Sequence, residues 1–168
     1  ALLVFTVSVI GPVLFGAPWY PTRSDDIRQA LAWCDPQPGE NLVDLGSGDG
    51  RVLILAAEEF GLRATGLEID PLKVALTRWR VQRKNLENQI TVLRQNLFRY
   101  DFKEADIVFI YLSHQALDRL WPILSAQLKP TARVVSYRFC LSGVKPERVN
   151  EDKTLFLYRV GLGSNVSQ

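Results

Sequence analysis

The chain has 168 residues, of which 47% are hydrophobic and 23% are charged, and its net charge is +2. These values are ordinary for a soluble globular domain with one sizeable core, and the small net charge argues against a nucleic acid partner. Two cysteines, Cys34 and Cys140, lie far apart in sequence, and His114 is the single histidine. We therefore expect no disulfide framework, no metal site and a reducing, cytoplasmic location.

The first residues form an uncharged apolar segment. Residues 1–22 carry no charge, and residues 1–17 are nearly all apolar. A membrane-spanning helix needs about 20 apolar residues, so two interpretations stay open: the remnant of a membrane anchor, or an arm that packs on the domain or on a partner. A cleaved signal peptide fits less well, because no basic region precedes the apolar run. We expect one domain over residues 18–162 and a frayed tail over residues 163–168.

Helical and strand patterns alternate along the rest of the chain. Ser24 is predicted to cap a helix that ends before Pro36, and a strand follows from Asn41. The elements predicted after it are a helix over 52–60, a strand over 63–70, a helix over 71–84, strands over 90–93 and 106–111, a helix over 115–128, a strand over 132–137 and an antiparallel pair over 148–149 and 154–160. This order predicts a Rossmann-like, doubly wound α/β fold with a mostly parallel seven-stranded sheet and an antiparallel strand near the C-terminus.

Three alternate glycines, Gly46, Gly48 and Gly50, lie between the first strand and the next helix. Such a loop directs backbone N–H groups and the positive end of a helix at a polar ligand, although a loop that only turns the chain is the simpler alternative. The spacing departs from the G-x-G-x-x-G pattern of dinucleotide sites, because Arg51 stands where the last glycine would be.

Acidic residues indicate which ligand the loop binds. Asp44 and Asp49 place negative charge beside the glycines, which disfavours a pyrophosphate and favours a cationic ligand such as a sulfonium with an amino-acid head. Glu68, at the end of the second strand, is placed to accept ribose hydroxyls. Asn96 and Tyr111 also follow strands, so these polar residues are expected along one edge of the sheet.

The stretch from Asp44 to Arg51 resembles motif I of the class I S-adenosylmethionine-dependent methyltransferases. Residues 66–70 resemble their acidic second motif, and residues 95–98 resemble their third. More narrowly, the chain is similar to the small seven-β-strand protein-lysine N-methyltransferases, which include archaeal broad-specificity enzymes and mitochondrial members with an apolar N-terminal segment. This narrower likeness also rests on Pro21-Thr22 and on residues 136–139.

The resemblance implies transfer of a methyl group from S-adenosyl-L-methionine to the side-chain amine of lysine in a protein substrate. Methylation of a small molecule and a non-catalytic cofactor-binding module remain alternatives, and the sequence gives no indication of the oligomeric state. The cofactor-binding residues that the resemblance implies are Asp44, Gly46, Ser47, Gly48, Gly50, Glu68, Asn96 and Leu97. The catalytic residues that it implies are Tyr20, Thr22 and Tyr111.

Two further groups of side chains have alternative interpretations. The aromatic residues Trp19, Tyr20, Tyr111 and Tyr137 could line a channel for an alkyl-ammonium stem or pack in the core, and His114 could be a general base or an exposed cap. A basic run is predicted to be either a solvated helix face or a docking surface for anionic lipid or nucleic acid. It consists of Arg78, Arg80, Arg83 and Lys84.

Overall fold

The computed structural model describes residues 22–160. Within this range the helices are α1 (Ser24–Trp33), α2 (Arg51–Phe60), α3 (Pro71–Arg83) and α4 (His114–Gln127), and a 3-10 turn covers Leu97–Arg99. The strands are β1 (Asn41–Leu45), β2 (Arg63–Glu68), β3 (Ile90–Arg94), β4 (Ile107–Ile110), β5 (Arg133–Tyr137), β6 (Arg148–Val149) and β7 (Leu155–Arg159). The expectations for residues 1–17, Trp19, Tyr20 and the tail over 163–168 concern residues outside the described range.

The strands form one seven-stranded sheet in the order β3-β2-β1-β4-β5-β7-β6. Strands β1 to β5 are parallel, β7 is antiparallel to β5, and β6 is antiparallel to β7. The predicted fold class is therefore confirmed, including the closing antiparallel pair. The chain continues from β1 to β2 and β3 on one side and then to β4 and β5 on the other, so the strand order reverses at β1. Doubly wound sheets bind ligands beyond the carboxyl ends of the strands at this point of reversal.

Helices cover both faces of the sheet and bury one core on each. Helices α1, α2 and α3 pack on the first face through residues such as Ile27, Leu53 and Val74. Helix α4 packs on the second face through Leu117 and Leu120. The central strands β1 and β4 are buried from both sides, and for this reason their sequences are mostly apolar.

Alternation along the strands decides which way the polar residues of the edge face. In β1, Leu42 lies in the first core whereas Val43 and Leu45 lie in the second. Because side chains alternate between faces, Asp44 faces the α1–α3 layer. The same alternation in β2 turns Glu68 toward that layer. Both acids are therefore held on one side of the sheet.

The predicted cap of the first helix is wrong. The N-cap position of α1 is Arg23, without a side-chain hydrogen bond, and the Ile27 N–H donates to the Arg23 carbonyl at 3.1 Å. The helix thus begins one residue earlier than the pattern predicted, and Ser24 lies inside its first turn. The remaining boundaries agree with the predicted ones to within two residues, a scatter that is usual for element ends.

The basic run is a solvent-exposed face that also makes contacts with the domain. Arg78, Arg83 and Lys84 are exposed and Arg80 is half-buried, which agrees with the predicted solvated face. Arg78 donates to the Val92 carbonyl at 2.7 Å and Arg80 donates to the Asp49 carbonyl at 2.6 Å. These hydrogen bonds fasten α3 to β3 and to the glycine loop. No helix among residues 22–160 combines the length and the apolar character needed to cross a bilayer.

Candidate active site

The glycine loop (residues 46–50) turns the chain from β1 into α2 with a left-handed backbone. Gly46, Gly48 and Gly50 have φ values of 78°, 54° and 75°. At Gly50 a β-carbon would lie 2.3 Å from Cγ2 of Thr77 in α3, so this position needs glycine for space as well as for conformation. The loop is fixed to β2, since the N–H of Gly46 donates to the Leu67 carbonyl at 2.8 Å.

Asp44 is a buried carboxyl group without a compensating charge. Its side chain lies at the end of β1 and is only 4% exposed. Burial raises the pKa of Asp44 to about 8, and the negative charges of Glu68 and Asp49 act in the same direction. No cationic side chain of the described residues offsets this charge. A buried carboxyl group of this kind is stable in its ionised form only beside a cation, which a bound ligand would have to supply.

The Ser47 hydroxyl is an unpaired polar group on the inner side of the loop. Its oxygen is buried and has no hydrogen-bond partner within the described part of the chain. It lies against Gly66 of β2, where an added β-carbon would be 2.7 Å away from it. Buried polar atoms are nearly always paired, so this hydroxyl is an exception in the packing of the loop, and Asp44 is the group that a ligand would have to compensate.

Glu68 joins the loop to the end of β2. Its carboxylate accepts hydrogen bonds from the backbone N–H groups of Gly48 at 3.0 Å, Ile69 at 2.8 Å and Asp70 at 3.0 Å. A carboxylate has about four acceptor positions, so one remains for a ligand hydroxyl. These bonds orient the carboxylate in advance of binding.

The sequence did not reveal the support that α3 gives to the loop. Thr77 donates its hydroxyl hydrogen to the Gly48 carbonyl at 2.9 Å. Arg80 lies 3.0 Å from the carboxylate of Asp49, which also pairs with Arg51 at 2.8 Å. The pKa of Asp49 is lowered despite its partial burial, because these arginines stabilise its charge. In the sequence, this support is indicated only by the spacing of Thr77 and Arg80, which lie one turn apart on the predicted helix.

Thr22 lies beside this network. It is buried, and its carbonyl accepts a hydrogen bond from Nη1 of Arg51 at 2.9 Å. The position next to the glycine loop agrees with the expectation that Thr22 belongs to the site, but the bond is made by its backbone. Its catalytic role stays a prediction, as does that of Tyr20, which lies outside the described residues.

The segment after β3 holds Asn96 and Leu97. The Asn96 side-chain oxygen accepts a hydrogen bond from the Phe98 N–H at 3.0 Å and thereby caps the 3-10 turn that Leu97 begins. Asn96 is exposed at the sheet edge, and its amide nitrogen remains for a ligand. Since β3 is the neighbour of β2, Asn96 lies one strand beyond Glu68.

Aromatic side chains gather on the other side of β1, after β4 and β5. The Tyr111 ring packs edge-on against Tyr137, with 5.0 Å between centroids, and lies 6.4 Å from Phe139. His114 packs against the other side of Phe139 at 4.9 Å. Tyr111 and Tyr137 were predicted from the sequence as possible channel residues. The contacts of Phe139 with Tyr111 and His114 were not predicted, because they depend on β4 and β5 being neighbours.

Tyr137 and His114 are both held by hydrogen bonds. Tyr137 is buried and its hydroxyl donates to Asp26 at 2.8 Å, while burial raises its pKa. The Tyr137 ring is thus fixed in position and packs against the Tyr111 ring. Nδ1 of His114 lies 3.1 Å from the Cys140 carbonyl, and Ser113, not His114, caps α4. His114 is exposed at the helix start.

The residues follow one another in a line along the carboxyl edge of the sheet. Glu68 and Asp44 lie in the last two positions of β2 and β1, and Asn96 and Tyr111 follow β3 and β4. The order of these strands in the sheet is β3-β2-β1-β4. At about 4.8 Å per strand this line is about 14 Å long, a length that suits a nucleoside joined to an amino acid. Within residues 22–160, no group of three His, Cys, Asp or Glu side chains is arranged to hold a metal ion.

The chain matches the model of the ANTKMT methyltransferase domain over residues 44–148. The chain belongs to this family. It is 30% identical to a protein-lysine N-methyltransferase of Saccharolobus islandicus over 86% of this chain and 94% of that protein. It is 34% identical to the adenine nucleotide translocase lysine N-methyltransferase of Mus musculus over 93% of this chain and 69% of that protein.

A solved structure shares this fold. It is described as an RNA methyltransferase from Salinibacter ruber in complex with S-adenosyl-L-homocysteine, with a TM-score of 0.83 and 31% identity over 89% of this chain and all of that chain. The protein is a methyltransferase that uses S-adenosyl-L-methionine. The site fits this cofactor, because its sulfonium and ammonium groups supply the cation that the buried Asp44 lacks.

Proposed function

We propose that this protein transfers the methyl group of S-adenosyl-L-methionine to the side-chain amine of lysine in a protein substrate. The observation that carries the proposal is the line of residues on the sheet edge, in which the uncompensated Asp44 carboxyl group lies between Glu68 and the aromatic cluster at Tyr111. The cofactor side of this line carries Asp44 and Glu68, and the acceptor side carries the rings of Tyr111 and Phe139.

Each part of the line has a separate task. When bound, S-adenosyl-L-methionine supplies an electrophilic methyl group and a neutral thioether leaving group. Asp44 orients the cationic end, Glu68 binds ribose hydroxyls with its remaining acceptor position, and Asn96 lies by the adenine. Glu68 and Asn96 are fixed before binding by backbone hydrogen bonds, so these two side chains need little reorganisation.

The aromatic cluster prepares the amine. A free lysine has a pKa of about 10.4, and only its neutral form has a lone pair for attack on the methyl carbon. The rings of Tyr111 and Phe139 remove water from the amine, and desolvation beside a positive charge lowers its pKa. The new carbon–nitrogen bond forms as the carbon–sulfur bond breaks, and the amine proton passes to solvent.

The relatives support a protein acceptor. Those from Saccharolobus islandicus and Mus musculus are named as lysine N-methyltransferases, as are proteins from Xenopus laevis and Homo sapiens whose names refer to a component of ATP synthase. The Salinibacter ruber structure is described as an RNA methyltransferase instead. The small net charge of +2 gives no electrostatic support for an RNA acceptor.

The test is methyl labelling, carried out separately with protein and with RNA as the acceptor. The chain is incubated with radiolabelled S-adenosyl-L-methionine and either protein or RNA extracts from its host, and labelled protein is digested and mapped by mass spectrometry. We expect the label on lysine, with no label from the Asp44→Asn variant and normal labelling from the matched Asp25→Asn variant, since Asp25 is exposed on α1. Label confined to RNA or to small molecules would contradict the lysine acceptor but not the methyl transfer.

We also propose that this protein is cytoplasmic and associates with a membrane through residues 1–17. Support comes from the uncharged apolar composition of this segment and from the free thiols of Cys34 and Cys140, which suit a reducing compartment. Cell fractionation tests it: wild-type chain is expected in the membrane pellet and a Val9→Arg/Leu14→Arg variant in the supernatant. Equal distribution of the two proteins would contradict a role for this segment.

A further inference from the structure

Helix α3 carries an apolar stripe on the side that faces away from the protein. Leu72, Leu76 and Trp79 are 51%, 46% and 53% exposed, and their spacing of four and three residues places them along one line of the helix. The opposite side of α3 is buried through Val74 and Val81. The helix is therefore apolar on two sides, and only one of them is covered by the described part of the chain.

The charged residues of the helix that carries this outer stripe (Leu72, Leu76 and Trp79) have one sign, and the nearby acid Asp70 is engaged as the N-cap of α3. All charged residues of α3 are basic. Arg83 continues the stripe by one turn, with its guanidinium 5.1 Å from the centre of the Trp79 ring. Lys73 lies at the edge of the stripe, whereas Arg78 and Arg80 are occupied by contacts with the domain. A cation beside an exposed tryptophan and two leucines is a composition typical of helices that lie in a membrane interface.

Hydrogen bonds on the other side of α3 turn the outer stripe away from the domain. Thr77 donates to the Gly48 carbonyl at 2.9 Å, and Arg80 donates to the Asp49 carbonyl at 2.6 Å. These bonds fasten the helix to the glycine loop, so that the outer stripe stays at the surface.

We propose that the outer stripe of α3 binds the surface of a bilayer that contains anionic lipid. In this arrangement α3 lies flat on the membrane, the three apolar side chains enter the region of the headgroups, and Lys73 and Arg83 contact lipid phosphates. The stripe exposes roughly 300 Å² of side chain, well below the approximately 800 Å² per partner of a stable protein interface. Lipid molecules, which close around single side chains, suit so narrow a surface better than a second copy of the chain does.

The first experiment measures binding of the full chain to vesicles by co-sedimentation. The vesicles are of phosphatidylcholine with and without phosphatidylglycerol, and the variant is Leu72→Ser/Leu76→Ser/Trp79→Ser. We expect the variant to bind anionic vesicles at least about tenfold more weakly than the wild type, and Arg83→Gln to reduce binding only where anionic lipid is present. Val149→Ser is the matched control, because Val149 is 41% exposed on β6, and it should bind as the wild type does.

The second experiment locates the contact and separates it from residues 1–17. An environment-sensitive fluorophore is attached at Ala75→Cys, on the exposed side of α3, or at Ser125→Cys, exposed on α4, in a chain with Cys140→Ser. We expect a blue shift with anionic vesicles at position 75 and none at position 125. Cys34 is buried and should not react.

Three results would overturn the proposal. Equal vesicle binding by the wild type and the triple variant would assign the contact to another part of the chain. A fluorophore at position 75 that is blue-shifted before vesicles are added would show the stripe to be covered by the chain itself. A wild-type dimer in light scattering that the triple variant abolishes, without vesicle binding by either, would make the stripe a contact between copies.

Discussion

Replacing Asp44 with Asn tests the electrostatic role of the buried carboxyl group. Its pKa rises from 3.8 to about 8 because it is buried and faces the charges of Glu68 and Asp49. The difference corresponds to about 6 kcal/mol of unfavourable free energy for the ionised form in the folded protein without ligand. A cationic ligand beside the carboxylate favours the ionised form instead.

The direction of the pH dependence follows from proton linkage. Without ligand, the folded protein holds this proton more tightly than the unfolded chain does, so the associated stability is complete below about pH 3.8 and is lost as the pH rises through about 8. Cofactor binding requires the ionised form and therefore releases a proton. The affinity for S-adenosyl-L-methionine should increase by about tenfold between pH 6 and 7 and level off near pH 8.

Isothermal titration calorimetry at pH 6, 7 and 8, in buffers of different ionisation enthalpy, measures both affinity and proton release. At pH 8 we expect Asp44→Asn to bind the cofactor on the order of 100-fold more weakly than the wild type, and without pH dependence. In urea unfolding without cofactor, the variant should be more stable than the wild type by about 3 kcal/mol at pH 6 and by about 6 kcal/mol at pH 9, because the unfolded wild type is ionised above about pH 3.8. A wild-type affinity that does not change with pH, or equal affinities of the two proteins at pH 8, would refute this reasoning.

Three further substitutions probe the loop, the ribose site and the acceptor site. Gly50→Ala should lower the free energy of unfolding by about 2–4 kcal/mol, measured in urea, because φ is +75° and the added carbon would lie 2.3 Å from Thr77. Glu68→Gln should weaken cofactor binding by about tenfold to 100-fold in calorimetry, because one charged acceptor is lost. Tyr111→Ala should reduce kcat for protein labelling by more than about tenfold while the Kd of the cofactor changes by less than about threefold.

Each substitution has a matched control. Gly39→Ala also places alanine at a positive φ, +88°, but no atom lies within 4 Å, so it should cost only about 1 kcal/mol; an equal cost at both glycines would remove the packing argument. Glu59→Gln, exposed on α2 and paired with Arg28, should leave cofactor binding unchanged. A Tyr111→Ala variant that loses cofactor affinity and kcat together would place this ring in the cofactor site.

The order of the helices and strands was readable from the sequence because it depends on local patterns. Apolar runs that end at Asp44 and Glu68, and the alternate glycines between them, predicted both the strand ends and the loop. Parallel strands of a doubly wound sheet end at the same edge, so polar residues after them were expected to converge. The single misplaced cap, at Ser24, reflects how weakly sequence marks the first residue of a helix.

Contacts between elements that are distant in sequence were not readable. The pKa of Asp44 depends on the pairing of β1 with β2, where Asp44 lies opposite Gly66, and this brings Glu68 close. The contact of Tyr111 with Phe139 likewise requires β4 and β5 to be neighbours. The pattern of residues along the sequence predicts which face of a helix or strand is buried, but it does not predict which other element packs against that face.

Helix α3 shows most clearly which properties follow from the sequence and which depend on the tertiary structure. The sequence alone predicted a helix over residues 71–84 that carries a basic run, because spacing and composition are local properties. Tertiary structure decided that Val74 and Val81 pack on the sheet and that Leu72 and Trp79 face outward. The physical reason is that the sheet can cover only one side of a helix, and the hydrogen bonds of Thr77 and Arg80 to the glycine loop fix which side that is.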